Sequence, residues 1–327
     1  MKAVLCKAYG PPESLVIEEI EPLKPGKGQV VIAVKACGVN FPDTLIIQGK
    51  YQFQPPMPFS PGSEVAGVVK ALGEGVEAVH IGERVIAFTL FGGFAEEALA
   101  EASQLIRIPD GIDFTTASSF VMTYGTSHYA LKNRARLQPG ETLLVLGAAG
   151  GVGLAAVELG KVMGACVIAA ASSAEKLEVC RHYGADEVIN YASEDLRERI
   201  RALTAGKGVD VVVDPVGGSY SEAALRGMAW DGRFMVIGFT AGEIPRIPLN
   251  LMLLKSCSIV GVFWGAFATR DPQRNQENLG ELLSWLASGQ LKPLISQKYP
   301  LNRVADALQS MLARKVTGKA VLLIDAE

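Results

Sequence analysis

The sequence predicts an α/β protein: a mostly β module forming a partly open barrel, followed by a doubly wound parallel sheet. Three observations carry this. Residues 1 to about 110 read as short β-branched strands between turns, with little helical periodicity. From Phe114 onward, apolar strands alternate with helices. A cluster of glycines stands between the first strand and the first helix of that alternating series.

The elements follow in order. Residues 1–7 place a charge on either side of a tiny apolar patch, which is too short for a signal-peptide core and predicts a first strand. Residues 30–36 and 65–72 are β-branched strands bounded by turn residues, among them Pro22, Pro25, Gly26, Gly28, Gly73, Gly75 and Gly82. Strands are then expected at 142–147, 166–171, 187–190, 209–214, 233–239 and 258–263. Helices are expected from the glycine turn to about Gly164, at 174–183 with Gly184 as its cap, and at 194–203 and 220–229. Units of this length imply parallel strands with helices on both faces. A helix at 275–288, a polar strand, a helix at 305–313 and a strand at 320–324 most simply return to the first module. The expected division is therefore 1–118 with 265–327 for the β module and 119–264 for the parallel sheet.

Composition excludes several function classes. The chain has 31 Lys plus Arg against 34 Asp plus Glu, a net charge of −3, and no basic run longer than two, so a nucleic-acid footprint is not expected. The most apolar stretches, 142–157 and 256–269, fall short of the roughly 18 residues of a membrane span and contain glycines. Cys6, Cys37, Cys166, Cys180 and Cys257 are odd in number and far apart, which fits a reducing cytoplasm better than a disulfide framework. Gly is in excess: 35 of 327 residues, where average usage is roughly 7%.

Part of that excess lies in the turn Gly147-Ala148-Ala149-Gly150-Gly151-Val152-Gly153. A dinucleotide site needs glycine for a tight turn, for backbone approach to a pyrophosphate and for close helix–strand packing. The phosphates then rest on free N–H groups at the helix start. By itself the GxxGxxG spacing would also suit an ordinary strand–helix turn; its place at the opening of the series favours the dinucleotide. No GK[ST] ending follows, so nucleotide hydrolysis is not implied. About 20 residues on, where NAD sites carry an acid against the ribose, the second strand runs out as Ala171-Ser172-Ser173-Ala174-Glu175-Lys176. With no carboxylate at the strand end, Ser172 and Lys176 are placed to receive a 2′-phosphate, and NADPH is the expected cofactor. The alternatives are that Ser172 caps the next helix while Lys176 is solvated, or that Glu175 acts as a displaced acid.

The order Cys37-Gly38-Val39-Asn40-Phe41-Pro42-Asp43, then Pro61-Gly62-Ser63-Glu64-Val65-Ala66-Gly67, then the glycine turn resembles the medium-chain dehydrogenase/reductase superfamily. Its zinc alcohol dehydrogenases have a Cys ligand where Asn40 stands and a His where Ser63 precedes Glu64; the four-cysteine lobe has no counterpart. A catalytic zinc needs three N, S or O ligands, and His80, His128 and His182 have no Cys nearby. Together with Asn40-Phe41-Pro42-Asp43-Thr44, this resembles the zinc-free quinone oxidoreductase branch. The resemblance runs over essentially the whole chain, through Ile189-Asn190-Tyr191, Asp214-Pro215-Val216-Gly217-Gly218 and Gly318-Lys319.

The resemblance implies a GroES-like barrel domain plus a Rossmann domain, with the active site in the cleft between them, and no metal. It implies pyrophosphate on Gly150, Gly151 and Val152, and a 2′-phosphate on Lys176 and Tyr191 with Arg314 helping from the tail. Asn40, Asp43, Thr126 and the Gly238-Phe239 and Phe263-Trp264 turns would line the nicotinamide side. A homodimer through edge strands near 258–263 is also implied. One departure is Leu45, where many relatives have a Tyr; Tyr51 and Tyr124 are substitutes by position, although packing suits each better. Asp43 suits a buried, loop-shaping role slightly better than direct proton transfer. The expected reaction is hydride transfer from NADPH to a small electrophile: a quinone, or the activated C=C bond of an enal, enone or enoyl thioester. A non-catalytic NADPH-binding stress protein is the third reading.

Overall fold

The computed structural model describes residues 1–324, so the last three residues of the expected 265–327 piece lie outside the described residues. The apolar patch at the start becomes β1 (Lys2–Leu5), paired antiparallel with β2 (Val16–Glu19). β3 (Gln29–Val39) is the longest strand, and its run of β-branched residues is buried along most of its length. It is followed by α1 (Phe41–Ile46), β4 (Glu64–Leu72), β5 (Arg84–Phe88), β6 (Glu97–Glu101) and β7 (Ile106–Arg107). The short helix α2 (Phe114–Ala117) and then α3 (Val121–His128) lead onward.

The alternating series comes next. β8 (Thr142–Leu146), α4 (Gly151–Val162), β9 (Cys166–Ala171), α5 (Ala174–His182), β10 (Glu187–Asn190), α6 (Leu196–Leu203), β11 (Val209–Asp214), α7 (Ser219–Arg226) and β12 (Met228–Val236) follow in turn. α8 (Asn250–Lys255), β13 (Ser258–Gly261), α9 (Trp264–Arg270) and α10 (Pro272–Ala287) complete it. The chain then gives β14 (Ile295–Pro300), α11 (Val304–Leu312) and β15 (Lys319–Leu323).

Two units result: Met1–Met122 with Pro293–Glu327, and Thr123–Lys292. The first holds a seven-stranded sheet in which β14-β15-β3-β4-β5-β7 lie in order and β6 also pairs with β3. β15 enters antiparallel to β3, with Ala320 opposite Val39. Its core gathers Val30, Ile32, Val34, Phe94 and Leu322, together with Val304 and Leu308 of α11. The second holds six strands in the order β10-β9-β8-β11-β12-β13, every pair parallel. Leu144, Leu146, Ile168, Ile189 and Val212 fill its core. Strands covered on both faces need continuous apolar runs, and Leu143–Leu146 is one.

Several expectations are corrected. The first boundary falls at 122/123 and not at 118/119, and the return to the first unit begins at 293 and not at 265. Side chains of α10 bond within the second unit, Asn278 donating to Asn133 at 2.8 Å and Glu281 meeting His128 at 2.7 Å, and Trp264 of α9 donates to Asn275 of α10 at 3.1 Å. An amphipathic helix carries no mark of which core it covers, so its unit was not readable. The helix expected at 220–229 ends at Arg226, and the next strand starts at Met228, because Met228 already pairs with Val209 before an irregularity restores the ladder at Arg233. The strand expected to reach Phe263 stops at Gly261, since Trp264 opens a helix.

Candidate functional site

In the second unit, the chain leaves every parallel strand at the same edge of the sheet, and most of the predicted cofactor residues stand just past those ends. β8 runs into the glycine turn, β9 into Ser172, β10 into Tyr191, β11 into the Asp214 loop, β12 into Gly238 and Phe239, and β13 into Phe263. In open parallel sheets the carboxyl edge is where ligands bind.

The glycine turn is built for close approach. Gly147 has φ +57°, and a side chain on Gly153 would sit 2.3 Å from the Gly147 carbonyl oxygen. Gly150 is the N-cap of α4, in extended backbone. The N–H groups of Gly151, Val152 and Gly153 are those a helix leaves without internal partners. The Ser127 hydroxyl donates to the Val152 carbonyl at 2.8 Å, tying α3 to this turn.

At the second strand end the cap is Ser173, not Ser172: its hydroxyl accepts the Lys176 N–H at 3.4 Å. Ser172 itself is exposed, and Lys176 is half-buried in the first turn of α5. Glu175 bonds locally with Ser173, which holds its carboxyl below the usual range. The Tyr191 N–H bonds the Ala171 carbonyl at 3.1 Å, and its ring packs on Tyr220 with centroids 4.3 Å apart. These contacts bring Tyr191 to the end of β9.

Sequence reasoning quoted Asp214 only as part of a motif, but it organises the fourth strand end. The buried carboxylate accepts the N–H groups of Val216 at 2.8 Å and Gly217 at 2.9 Å, and the Ser221 hydroxyl. Phe239 packs against that loop at Gly217. A carboxylate ending an apolar strand was the available signal. Thr126 lies half-buried on α3. Phe263 is exposed, whereas Trp264 is buried over Gly125 and donates to Asn275 at 3.1 Å, so Trp264 is a packing residue. Tyr124, the other packing candidate, donates its hydroxyl to buried Glu158.

The first unit brings Asn40 and Asp43 together with two residues that sequence reasoning did not assign to the site. The Asp43 carboxylate accepts the Asn40 N–H at 2.7 Å at the start of α1. The Asn40 amide donates to Glu64 at 3.2 Å, and its oxygen accepts from the ammonium of Lys319. All four are buried. Burial pushes the Asp43 carboxyl up to about 7; the Asn40 N–H and Lys319 oppose the shift, and the charge of Glu64 adds to it. The Tyr51 phenol is raised by burial and then by the charge of Asp43, which puts it in that carboxyl's field. Arg314 is exposed after α11, in left-handed backbone at φ +56°, in the first unit.

Comparison with known proteins adds three findings. Residues 26–110 match the alcohol dehydrogenase GroES-like domain, and residues 151–287 match the zinc-binding dehydrogenase family. The chain is 42% identical over 325 residues to a quinone oxidoreductase-like protein 2 homolog of Nematostella vectensis, covering 98% of this chain and 88% of the relative. Among solved structures it is similar to the Escherichia coli quinone oxidoreductase complexed with NADPH (TM-score 0.92, 32% identity, 99% and 100% of the two chains). It is also similar to the CurK enoyl reductase (TM-score 0.89, 28% identity, 98% of each chain).

The second family's description names zinc, and the residues here do not fit it. The Asn40 oxygen is taken by an ammonium, which repels a divalent cation. Among the described residues, no group of three His, Cys, Asp or Glu side chains could hold a metal ion.

Proposed function

The chain belongs to the quinone oxidoreductase branch of the medium-chain dehydrogenase/reductase superfamily, and from that premise we propose that it is an NADPH-dependent, zinc-independent oxidoreductase that delivers hydride to a quinone. The observation that carries the cofactor reading is the carboxyl edge of the parallel sheet. There a glycine turn, a second strand end without a carboxylate, Lys176 and Tyr191 all follow strand ends.

NADPH, when bound, supplies the hydride; the protein supplies position, dryness and charge. The N–H groups of Gly151, Val152 and Gly153 donate to the pyrophosphate. Lys176 and Tyr191, with Ser172, hold the 2′-phosphate, a dianion that Glu175 would otherwise repel. Gly238, Phe239 and Phe263 bound the nicotinamide, and Asn40, Asp43 and Thr126 are the residues assigned to the reacting end. A quinone suits these residues because hydride addition leaves a delocalised phenolate, which needs little Lewis-acid help.

A second reading, reduction of an activated C=C bond, is favoured by the likeness to an enoyl reductase. Anaerobic NADPH oxidation with benzoquinone, phenanthrenequinone, crotonyl-CoA and alkenals decides between them. Turnover confined to quinones is expected; turnover confined to the alkenes supports the second reading. Binding of NADPH without turnover on any acceptor would make the chain a non-catalytic NADPH-binding protein. Stoichiometric zinc in the purified protein would overturn zinc independence.

A homodimer completes the proposal. β13 is the edge of the six-stranded sheet, and Leu249, Leu253, Leu254, Ile259 and Phe263 on and beside it are exposed. An open apolar edge invites a second copy of the same edge.

A further inference from the structure

The first unit buries one ammonium and two carboxylates in a single cluster. Lys319, at the start of β15, is 4% exposed; Glu64 is 0%, Asp43 2% and Asn40 5%. The ammonium has three protons and three acceptors: the Val39 carbonyl at 3.2 Å, the Asn40 side-chain oxygen, and Glu64 Oε2 at 3.5 Å. Its claim on the Asn40 oxygen fixes which way that amide points. The Nδ2 group is left to donate to Glu64 Oε2 at 3.2 Å and to the Gly38 carbonyl at 3.3 Å. The second oxygen of Glu64 accepts the Met122 N–H at 2.9 Å. Lys319 therefore joins β15 to the end of β3 and to the starts of α1 and β4, and Glu64 extends the cluster to the first turn of α3.

We propose that Lys319 is a positioning residue of the reacting end: it orients the Asn40 amide, neutralises Glu64, and sets the field felt by the Asp43 carboxyl. The consequence for turnover rests on the assignment of Asn40 and Asp43 made above; the charge arrangement does not. Where zinc-dependent relatives have a Cys and a His ligand, this chain has Asn40 and Ser63, and the cationic charge comes from the side chain of its own last strand. The groups that face Asp43 are Lys319 from β15, Glu64 from β4, the Cys37 thiol from β3 and the Tyr51 phenol. Lys319 and Glu64 act on Asp43 in opposite directions, the first favouring its charged form and the second opposing it.

The test uses Lys319→Met, Glu64→Gln and the double variant. Titration of the Asp43 carboxyl is followed by carbon NMR, kcat and KM are followed across pH, and NADPH affinity is measured separately. In Lys319→Met the Asp43 midpoint is expected to rise by about one pH unit or more, and in Glu64→Gln to fall. The double variant returns toward the wild-type midpoint, because both charges are gone. kcat in Lys319→Met is expected to fall about tenfold or more, its pH profile moving with the Asp43 midpoint, while NADPH affinity stays within about twofold. A midpoint that stays in place in both single variants overturns the proposal, as does a kcat loss whose pH profile does not move. If Lys319→Met fails to fold, Glu64→Gln and the double variant decide it by the same midpoint. If the wild-type protein turns over no acceptor, the functional reading fails while the Asp43 titration still tests the charge arrangement.

Discussion

Asp43 shows what burial does to a single residue. Its carboxyl holds a proton to about pH 7, where the unfolded chain releases it near 3.8. A raised folded value means that its contribution to stability is complete below the unfolded value and is lost as pH rises through the folded one. Asp43→Asn keeps an oxygen for the Asn40 N–H but cannot ionise. The variant is expected to gain on the wild type between about pH 5 and about pH 8, by an amount on the order of a few kcal/mol. Urea unfolding at the two pH values measures this, and parallel pH curves would refute it. Lys176 tests cofactor choice at the same scale. A charge-assisted bond to a 2′-phosphate is worth about 1.5–3 kcal/mol, so Lys176→Ala should weaken NADPH about tenfold or more and leave NADH nearly unchanged. An equal loss for both cofactors in titration calorimetry would remove the assignment. Neither residue declares its partners in the sequence. Asp43 reads there as a loop acid, and only the fold places Glu64 and Lys319 beside it.

Among the elements, the β8–α4 turn separates two uses of glycine. A side chain at Gly153 would meet the Gly147 carbonyl oxygen at 2.3 Å and Ala148 Cα at 2.8 Å, so backbone has to move. At Gly150 the nearest such atom is 3.4 Å away, a tight contact that needs only a small shift. Gly153→Ala is therefore expected to cost about 1–3 kcal/mol of stability. Gly150→Ala should unfold nearly like the wild type and, if the pyrophosphate rests on this turn as proposed, lose NADPH affinity. Thermal unfolding and NADPH titration of the pair check this; equal stability loss in both variants would show that the turn has a structural use only. The turn, the six strands and most helices were legible because each is a local pattern: an apolar run, a cap or a glycine cluster. Element ends were less so. Ser173 caps α5 rather than Ser172, a choice made by which hydroxyl reaches the Lys176 N–H.

Across the whole molecule, the exposed edge of the six-stranded sheet carries the assembly prediction. Leu249 and Leu253 are each 80% exposed on and beside α8, next to β13 at one edge of the sheet. Leu253→Glu with Ile259→Lys should convert a dimer to a monomer in sedimentation velocity. A wild-type protein that sediments as a monomer would refute the interface.

The sequence by itself determined the order of strands and helices, the glycine turn and the missing acid after β9, because those follow from residues near one another along the chain. It placed the return to the first unit at 265, and the structure places it at 293. Only the tertiary structure decided that return, and only it joined Lys319 to Asn40 across 279 residues. The physical reason is the same in both cases. Which core an amphipathic helix covers, and which buried charges meet, is settled by packing and pairing at long range, and nothing local records it.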